Sequence, residues 1–256
     1  MGGHSIEVRS DVVIKRYRSW HYDEPGREWR ALKLLDEHDP GLAPAPVTAE
    51  LTADPPTVVM SRLDGAAVSG EITGKLVDAL AEAVTGVQQA IPPRELERMP
   101  ARAGHPVEFL RLVRERAAAV EPDPLMAEAL RAARAWVERP ALEQMLAEPG
   151  TPVFGTGDGN IANYLWDGTK VRVIDFEYSG RSDRAFELAE VSEHIAVWEN
   201  DPAGMTAVLE RLELTAEESA RLTECRRLMA LFWLLRVREE IRSEQADRML
   251  ALLQPG

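Results

Sequence analysis

The chain has 256 residues, of which 45% are hydrophobic and 29% charged, as in an ordinary soluble globular protein. Its net charge of −13 argues against a nucleic-acid partner, because phosphate backbones are bound by clustered lysine and arginine. Since no apolar run is long enough to cross a bilayer and the single cysteine, Cys225, cannot form an intrachain disulfide, we expect a cytoplasmic protein without a membrane partner.

The first 64 residues have the pattern of a small α+β unit. Residues 12–15 (VVIK) and 57–61 (TVVMS) are short β-branched, apolar runs that predict strands. Between them, EPGREWRALKLLDEH places apolar residues at helical spacing and predicts a helix that begins near Pro25. Glycine and proline over residues 41–46 then end the helical pattern.

The rest of the chain is mainly helical, with prolines between the segments. Helices are predicted over 71–90, 106–119, 124–138, 140–148, 184–198, 203–211 and 215–241. The exception is 151–176, where short apolar runs separated by glycine-containing turns predict strands. The pattern therefore predicts an α+β protein with a strand-rich N-terminal lobe over 1–64 and a larger helical lobe over 65–256.

Residues 155–168, GTGDGNIANYLWDG, are crowded with small, acidic and amide residues, and three kinds of site use such a stretch. A phosphate-binding glycine loop does not fit, because the third glycine of the dinucleotide motif is absent and no GKS or GKT follows. A calcium loop does not fit either, because no glutamate stands at the twelfth position counted from Asp158.

The catalytic loop of a phosphotransferase fits this stretch. Such a loop needs an aspartate that accepts the proton of a hydroxyl group, and an amide and a second carboxylate that hold magnesium. Asn163 follows Asp158 by five residues, which is the kinase separation, and the apolar run VRVIDF brings Asp175 to the end of a strand. The three residues together predict phosphoryl transfer.

The segments GTGDGNIANYLWDG and VRVIDFEYSGRSDRAFELAE resemble the aminoglycoside phosphotransferase and choline-kinase-like family. The resemblance implies a two-lobed protein-kinase-like fold over the whole chain. It also implies that Asp158 is the catalytic base, that Asn163 and Asp175 bind Mg²⁺, and that ATP or GTP is the phosphate donor. Asp183 and Glu187 fall where the family has a later acidic pair, for which we expect a structural role.

A kinase also needs a lysine at the nucleotide phosphates and a glutamate on the next helix that holds this lysine. Lys15 ends a predicted strand, and Glu28 lies one turn into the predicted helix that follows. Each residue alone is typical of an exposed surface charge. Because the Asp158 segment follows downstream, the pair is predicted to bind nucleotide.

Two further segments resemble nucleotide-binding parts of the family. GGHSIEV resembles the turn that covers the phosphates, with Gly3 and Ser5 as donors to phosphate oxygens, but the strand expected before this turn is missing. VVMSRLDG resembles the hinge that binds adenine, with Met60 behind the purine and the backbones of Ser61 and Leu63 at its edge. A frayed terminus and a plain core methionine are the structural alternatives.

Thr156 stands where the family has a histidine that braces the catalytic loop. A threonine hydroxyl can donate one hydrogen bond to a nearby carbonyl, so we expect activity to survive this change. A non-catalytic nucleotide-binding protein is the alternative that the change leaves open.

The acceptor is expected between the catalytic loop and the helices of the larger lobe. A helix there is predicted to offer an acidic and aromatic face to a cationic acceptor, formed by Glu190, Glu193, His194, Trp198 and Glu199. The same pattern is typical of a solvated helix face with Trp198 in the core. We therefore predict ATP- and Mg²⁺-dependent phosphorylation of a hydroxyl on a small cationic molecule. An aminoglycoside-type antibiotic is the leading class, and choline, a sugar or homoserine are the alternatives.

Overall fold

The computed structural model describes residues 4–18, 21–121, 123–236 and 241–254. Its N-terminal part contains β1 (Ser5–Val8), β2 (Val12–Arg16), α1 (Glu24–His38), β3 (Pro46–Glu50) and β4 (Thr57–Ser61). The four strands form one antiparallel sheet in the order β1-β2-β4-β3. The predicted strands over 12–15 and 57–61 and the helix near Pro25 are confirmed.

Two strands of this sheet were not predicted. Residues 5–8 form β1, with Ser5 opposite Arg16, so the expectation of a turn over these residues was wrong. β3 follows the segment in which glycine and proline end the helical pattern. Both are edge strands with half-exposed side chains, and edge strands carry a weak apolar pattern because neither face is fully buried.

The C-terminal part is built mainly from helices. Its elements are β5 (Ala66–Ala67), α2 (Lys75–Gln89), α3 (Pro93–Leu96), α4 (Pro106–Ala119), α5 (Ala127–Val137), α6 (Pro140–Ala147), β6 (Pro152–Gly155), β7 (Tyr164–Trp166), β8 (Val171–Val173), β9 (Gly180–Asp183), α7 (Arg184–Glu193), α8 (Ile195–Trp198), α9 (Pro202–Leu209), α10 (Ala216–Leu234) and α11 (Arg242–Leu253). A short 3-10 turn over Ile161–Asn163 precedes β7. The strands pair as a β5-β7-β8 sheet and a β6-β9 pair, so the predicted α+β class is confirmed.

Two of the predicted helices are interrupted. The segment predicted over 184–198 breaks at His194, whose extended backbone (φ −61°, ψ 139°) ends α7 and begins α8. The sequence has no glycine or proline at this break. The side chain of His194 caps α8 instead, by accepting a hydrogen bond from the Ala196 backbone N–H. The segment predicted over 215–241 ends at Leu234, and a separate helix begins at Arg242.

A continuous apolar core joins the two parts of the molecule. α1 lies against β3 and β4 and contributes the fully buried Leu32 and Leu35. In the helical part, α7 packs along α10, and Phe186 and Leu231 are fully buried. Among the described residues, no helix has both the length and the apolar character needed to cross a bilayer.

Replacing Leu32 by alanine should lower the free energy of unfolding by about 2–5 kcal/mol, because a cavity remains in the core beneath α1. Val47→Ala on the edge strand β3, where the side chain is 54% exposed, should change it by less than about 0.5 kcal/mol. Urea unfolding followed by circular dichroism measures both values. Equal effects of the two substitutions would contradict this packing.

Candidate active site

The ammonium group of Lys15 lies at the centre of the candidate site. β2 carries this residue, and its Nζ atom is 2.6 Å from Glu28 on α1, 2.6 Å from Asp175 and 2.7 Å from Glu177. The lysine side chain is only 7% exposed. Burial by itself lowers the pKa of Lys15, but the three carboxylates outweigh burial and raise it. The predicted contact between Lys15 and Glu28 is therefore formed. Lys15 also contacts Asp175, which is 160 residues away in the sequence.

Glu28 holds three segments together. Besides Lys15, it accepts a hydrogen bond of 2.6 Å from the Tyr17 hydroxyl and one of 3.3 Å from the Phe176 backbone N–H. Burial raises the pKa of the Tyr17 hydroxyl, and the negative charge of Glu28 raises it further. The hydroxyl therefore keeps its proton, and Glu28 joins α1 to β2 and to the segment after β8.

Glu177 is a member of this cluster that the sequence analysis did not predict. Its carboxylate contacts Lys15 and lies 3.0 Å from His4 Nε2. Burial raises the pKa of Glu177 to about 7, although Lys15 opposes the shift. The signal was present in the sequence IDFE, where a second acid follows Asp175 by two residues.

The three carboxylates of Glu28, Asp175 and Glu177 have oxygens within 4.8 Å of one another. Such a cluster suits a cation, but the ammonium group of Lys15 already contacts all three. Lys15 therefore offsets part of the negative charge of the cluster and occupies the space between the three groups.

Asp158 lies in the loop between β6 and the 3-10 turn. Its Oδ1 accepts a hydrogen bond from the Asn160 backbone (3.0 Å), and its Oδ2 accepts one from Asn163 Nδ2 (3.2 Å). The side chain of Asp158 is 30% exposed. The Ile174 backbone N–H donates to the Asn163 carbonyl at 2.9 Å, which ties this loop to the segment that carries Asp175. The structure thus brings Asp158, Asn163 and Asp175 to adjoining segments.

Two glycines allow this loop to pass between other backbone segments. A Cβ atom at Gly157, which has a φ of +79°, would lie 2.4 Å from the Tyr178 carbonyl oxygen. A Cβ atom at Gly159 would lie 2.3 Å from the carbonyl oxygen of Glu190 on α7. Because no side chain fits at either position, the loop can approach both neighbours closely.

Thr156 braces the loop as predicted. Its hydroxyl donates a hydrogen bond of 3.1 Å to the carbonyl oxygen of Asp158, and the residue is buried. A small polar side chain therefore supports the backbone at the aspartate.

Arg102 is a second brace, which the sequence analysis missed. Its buried guanidinium group contacts Glu187 at 2.8 Å and Glu190 at 3.1 Å, and donates to the Gly157 carbonyl at 3.1 Å. Burial lowers the pKa of Arg102, but the carboxylates of Glu190 and Glu187 overcome this and raise it. Nothing in the local sequence around Arg102 indicates a contact that depends on the tertiary fold.

Three of the residues predicted to face the acceptor serve the interior instead. Glu190 is paired as described above, and the side chain of Glu193 is fully buried between Arg226 (2.6 Å) and Arg248 (3.0 Å). Trp198 is half-buried, with the Arg248 guanidinium 4.8 Å from its ring centre. The prediction of an acidic rim formed by Glu190 and Glu193 was therefore wrong, because arginines from other segments neutralise both groups.

The other two residues of the predicted acceptor face are His194 and Glu199. Glu199 is exposed. His194 is largely buried, with Nε2 at 3.8 Å from the Asp158 Oδ1 atom. Burial lowers the pKa of His194, while the charges of Asp158 and Glu199 oppose this shift.

A cavity of about 250 Å³ opens beside the Lys15 ammonium group. Met60, Ser61 and Leu63 of the predicted hinge segment line it, and Asp175 lines it as well. Its other walls are mainly aliphatic. The cavity thus combines an apolar space with two cationic groups, Lys15 and Arg62, and two anionic groups, Glu28 and Asp175.

β1 forms one wall of this cavity. Ile6 and Val8 line it and are 63% and 61% exposed, so this wall is apolar and open to solvent. Ser5 begins this strand, one position from the residue opposite Lys15. Gly3, the other predicted phosphate contact, lies outside the described residues.

A family model described as phosphotransferase enzyme family matches residues 5–225 of the chain. No curated protein matches the sequence significantly. The family resemblance inferred from the motifs is thereby confirmed.

Solved structures share the fold over nearly the whole chain. A choline/ethanolamine kinase family protein from Mesorhizobium loti matches with a TM-score of 0.68 and 16% identity, covering 100% of this chain and 87% of its own. A spectinomycin phosphotransferase in complex with ADP and spectinomycin matches with a TM-score of 0.60 and 13% identity, covering 100% and 87%. Aminoglycoside 2′-phosphotransferase-IIIa in complex with GDP matches with a TM-score of 0.61 and 18% identity, covering 98% and 88%. At these identities the likeness establishes the protein-kinase-like fold.

Replacing Arg102 by methionine should lower the free energy of unfolding at pH 8 by about 3–5 kcal/mol, because Glu187 and Glu190 lose their buried partner. Burial already raises the pKa of Glu190 and Arg102 opposes the shift, so the substitution raises this pKa further. A carboxyl group whose pKa is higher in the folded protein than in the unfolded chain destabilises the fold once the pH rises above the pKa of the unfolded chain. The substitution should therefore lower the free energy of unfolding less at pH 5 than at pH 8.

Urea unfolding at the two pH values measures this difference. Arg111→Met is the matched control, because Arg111 is exposed on α4. A loss that is independent of pH, or no larger than that of the control, would contradict the proposed brace.

Proposed function

Since this chain belongs to the phosphotransferase enzyme family, we propose that it is an ATP- and Mg²⁺-dependent O-phosphotransferase that acts on a hydroxyl group of a small molecule. The observation that carries the proposal is the cavity beside Lys15 and Asp175, joined to the Asp158 loop by the backbone hydrogen bond between Ile174 and Asn163. In this proposal residues 1–64 are the nucleotide-binding lobe, and residues 65–256 carry the catalytic loop and the acceptor site.

The cavity has the features that a nucleotide needs. Its aliphatic walls, with Met60 and Leu63, suit the flat face of a purine base, and the adjacent backbone of Ser61 offers hydrogen-bonding groups to its edge. Lys15 supplies positive charge for the phosphates, held by Glu28. ATP is the proposed donor, with GTP as the alternative, and both ADP and GDP complexes occur among the structural neighbours.

Asn163 and Asp175 are the proposed Mg²⁺ ligands. Asn163 uses its Nδ2 group as a donor to Asp158, which leaves its Oδ1 atom to face a cation. Asp175 Oδ1 accepts a hydrogen bond from Lys15 Nζ, and the side chain of Asp175 remains 33% exposed. Amide and carboxylate oxygens are the hard donors that magnesium prefers, so these residues fit the ion. When bound, magnesium neutralises charge on the transferring phosphates.

Asp158 is the proposed catalytic base. Its carboxylate is oriented by Asn160 and Asn163, and with 30% of the side chain exposed it is accessible to an acceptor. The acceptor oxygen forms the new bond to the γ-phosphorus, the bond from that phosphorus to the β,γ-bridging oxygen breaks with its electrons leaving on the nucleoside diphosphate, and the hydroxyl proton passes to Asp158.

The acceptor is proposed to be a small hydroxylated amine. The sequence pattern favours an aminoglycoside-type antibiotic, for which several free carboxylates would bind several amines. Because arginines neutralise Glu190 and Glu193, neither carboxylate offers its charge to an acceptor, and Asp158 remains on this side with the aromatic ring of His194. That smaller acidic set favours a second candidate class, a choline- or ethanolamine-like acceptor with one cationic group.

Nucleotide consumption with a panel of aminoglycosides, choline, ethanolamine, sugars and homoserine tests the proposal, with the phosphorylated product identified by mass. Turnover of one acceptor supports phosphotransfer and identifies its class. Nucleotide binding without turnover of any acceptor would favour a non-catalytic protein instead.

Asp158→Asn should lower kcat by a factor of about 10²–10⁴ on the acceptor identified, because the hydroxyl loses its proton acceptor. Nucleotide affinity should change by less than two-fold, since the Lys15 cluster is intact. Steady-state kinetics and nucleotide titration measure the two effects. Asp167→Asn, in the turn between β7 and β8, is the control and should retain full turnover. Near-normal turnover of Asp158→Asn would refute its role as base.

A further inference from the structure

His194 is placed at the catalytic aspartate by an interruption of the helix that carries it. Its extended backbone ends α7, and the side chain turns back to accept a hydrogen bond of 3.1 Å from the Ala196 backbone N–H through Nδ1. The ring packs edge-to-face against Trp233 of α10, with centroids 4.7 Å apart. These two contacts fix the orientation of the imidazole.

The hydrogen bond at Nδ1 also determines which nitrogen carries the proton. A neutral imidazole has one N–H and one acceptor nitrogen, and here the acceptor is Nδ1. The proton therefore lies on Nε2, which faces Asp158 Oδ1 at 3.8 Å. Burial lowers the pKa of His194 and favours this neutral form, whereas Asp158 and Glu199, the charged groups that act on the ring, oppose it.

The 3.8 Å separation is too long for a direct hydrogen bond and short enough for one oxygen atom to bridge the two groups. A hydroxyl oxygen about 2.8 Å from each group would make roughly a right angle between its two hydrogen bonds. Such a hydroxyl donates its proton to Asp158 and accepts the Nε2–H of His194. One lone pair then remains for the phosphorus atom.

We propose that His194 is a second catalytic contact of the acceptor, donating Nε2–H to the hydroxyl oxygen whose proton Asp158 accepts. This inference rests on the proposed phosphotransfer and adds one residue to it. His194 keeps its proton throughout: the hydroxyl proton goes to Asp158, the oxygen–phosphorus bond forms, and the nucleoside diphosphate leaves. Its contribution is to orient the attacking oxygen while the aspartate removes the proton.

Two substitutions separate this role from helix capping. Asparagine is an effective N-cap residue, so His194→Asn keeps the contact to the Ala196 N–H while its amide is too short to reach the acceptor. Glutamine places its amide nitrogen where Nε2 lies, so His194→Gln keeps a donor towards the acceptor and weakens the cap. The two roles therefore predict opposite orders of activity.

The acceptor kcat/KM of His194→Asn should fall about ten-fold, as for the loss of one hydrogen bond, with the nucleotide KM unchanged. His194→Gln should restore at least half of the wild-type value. Wild-type activity in His194→Asn, or a greater loss in His194→Gln, would overturn the proposal and leave His194 as a cap. Thermal unfolding of both variants shows whether either loss comes from a damaged fold.

A readout without turnover distinguishes failure of this inference from failure of the proposed function. In a ¹⁵N-labelled protein, imidazole resonances should show the Nε2–H form of His194, and Asp158→Asn should lower its pKa further, because a charge that raises it is removed. A proton on Nδ1, or an unchanged pKa in Asp158→Asn, would overturn the inference. If the wild type turns over no acceptor, phosphotransfer and the acceptor contact both fail, even where the spectra show the expected arrangement of His194 and Asp158. If the wild type turns over an acceptor but the spectra contradict that arrangement, only the role of His194 fails.

Discussion

The structure depends on one buried ammonium group with three carboxylate partners. Lys15 comes from the N-terminal sheet, Glu28 from the helix packed on it, and Asp175 and Glu177 from the helical part. A buried charge is costly to leave unpaired, so the cluster fixes the relative positions of these segments. The cavity beside Lys15 is a consequence of that arrangement.

The same cluster sets a condition for binding phosphate. Lys15 donates hydrogen bonds to Glu28 and Asp175, and Glu177 lies 2.7 Å from the same ammonium group as an ion pair. A phosphate that approaches Lys15 therefore competes with these carboxylates for the ammonium group. Asp175 is the most exposed of the three, at 33%, and a metal ion offers it an alternative partner. Glu28 is held by Tyr17 as well and stays in place.

The catalytic loop depends on contacts that are distant in the sequence. Gly157 and Gly159 permit close backbone approach, and their spacing around Asp158 is visible in the sequence because only small residues fit there.

Arg102 and the arginines at Glu193 were not predictable, since helical periodicity shows that a side chain is charged but not which segment neutralises it. For that reason the predicted acidic face was wrong, although the contact between Lys15 and Glu28 could be predicted from short motifs in order along the chain. The edge strands β1 and β3 were missed for a related reason: half-exposed strands have no full apolar alternation.

A crystal structure with magnesium and a non-hydrolysable ATP analogue would show whether the Lys15 cluster opens to a nucleotide. The expected arrangement has the base in the 250 Å³ cavity, a phosphate oxygen within hydrogen-bond distance of Lys15, and Asp175 moved from the ammonium group to a metal ion shared with Asn163. A nucleotide bound elsewhere, or Lys15 still enclosed by all three carboxylates in the nucleotide complex, would contradict it.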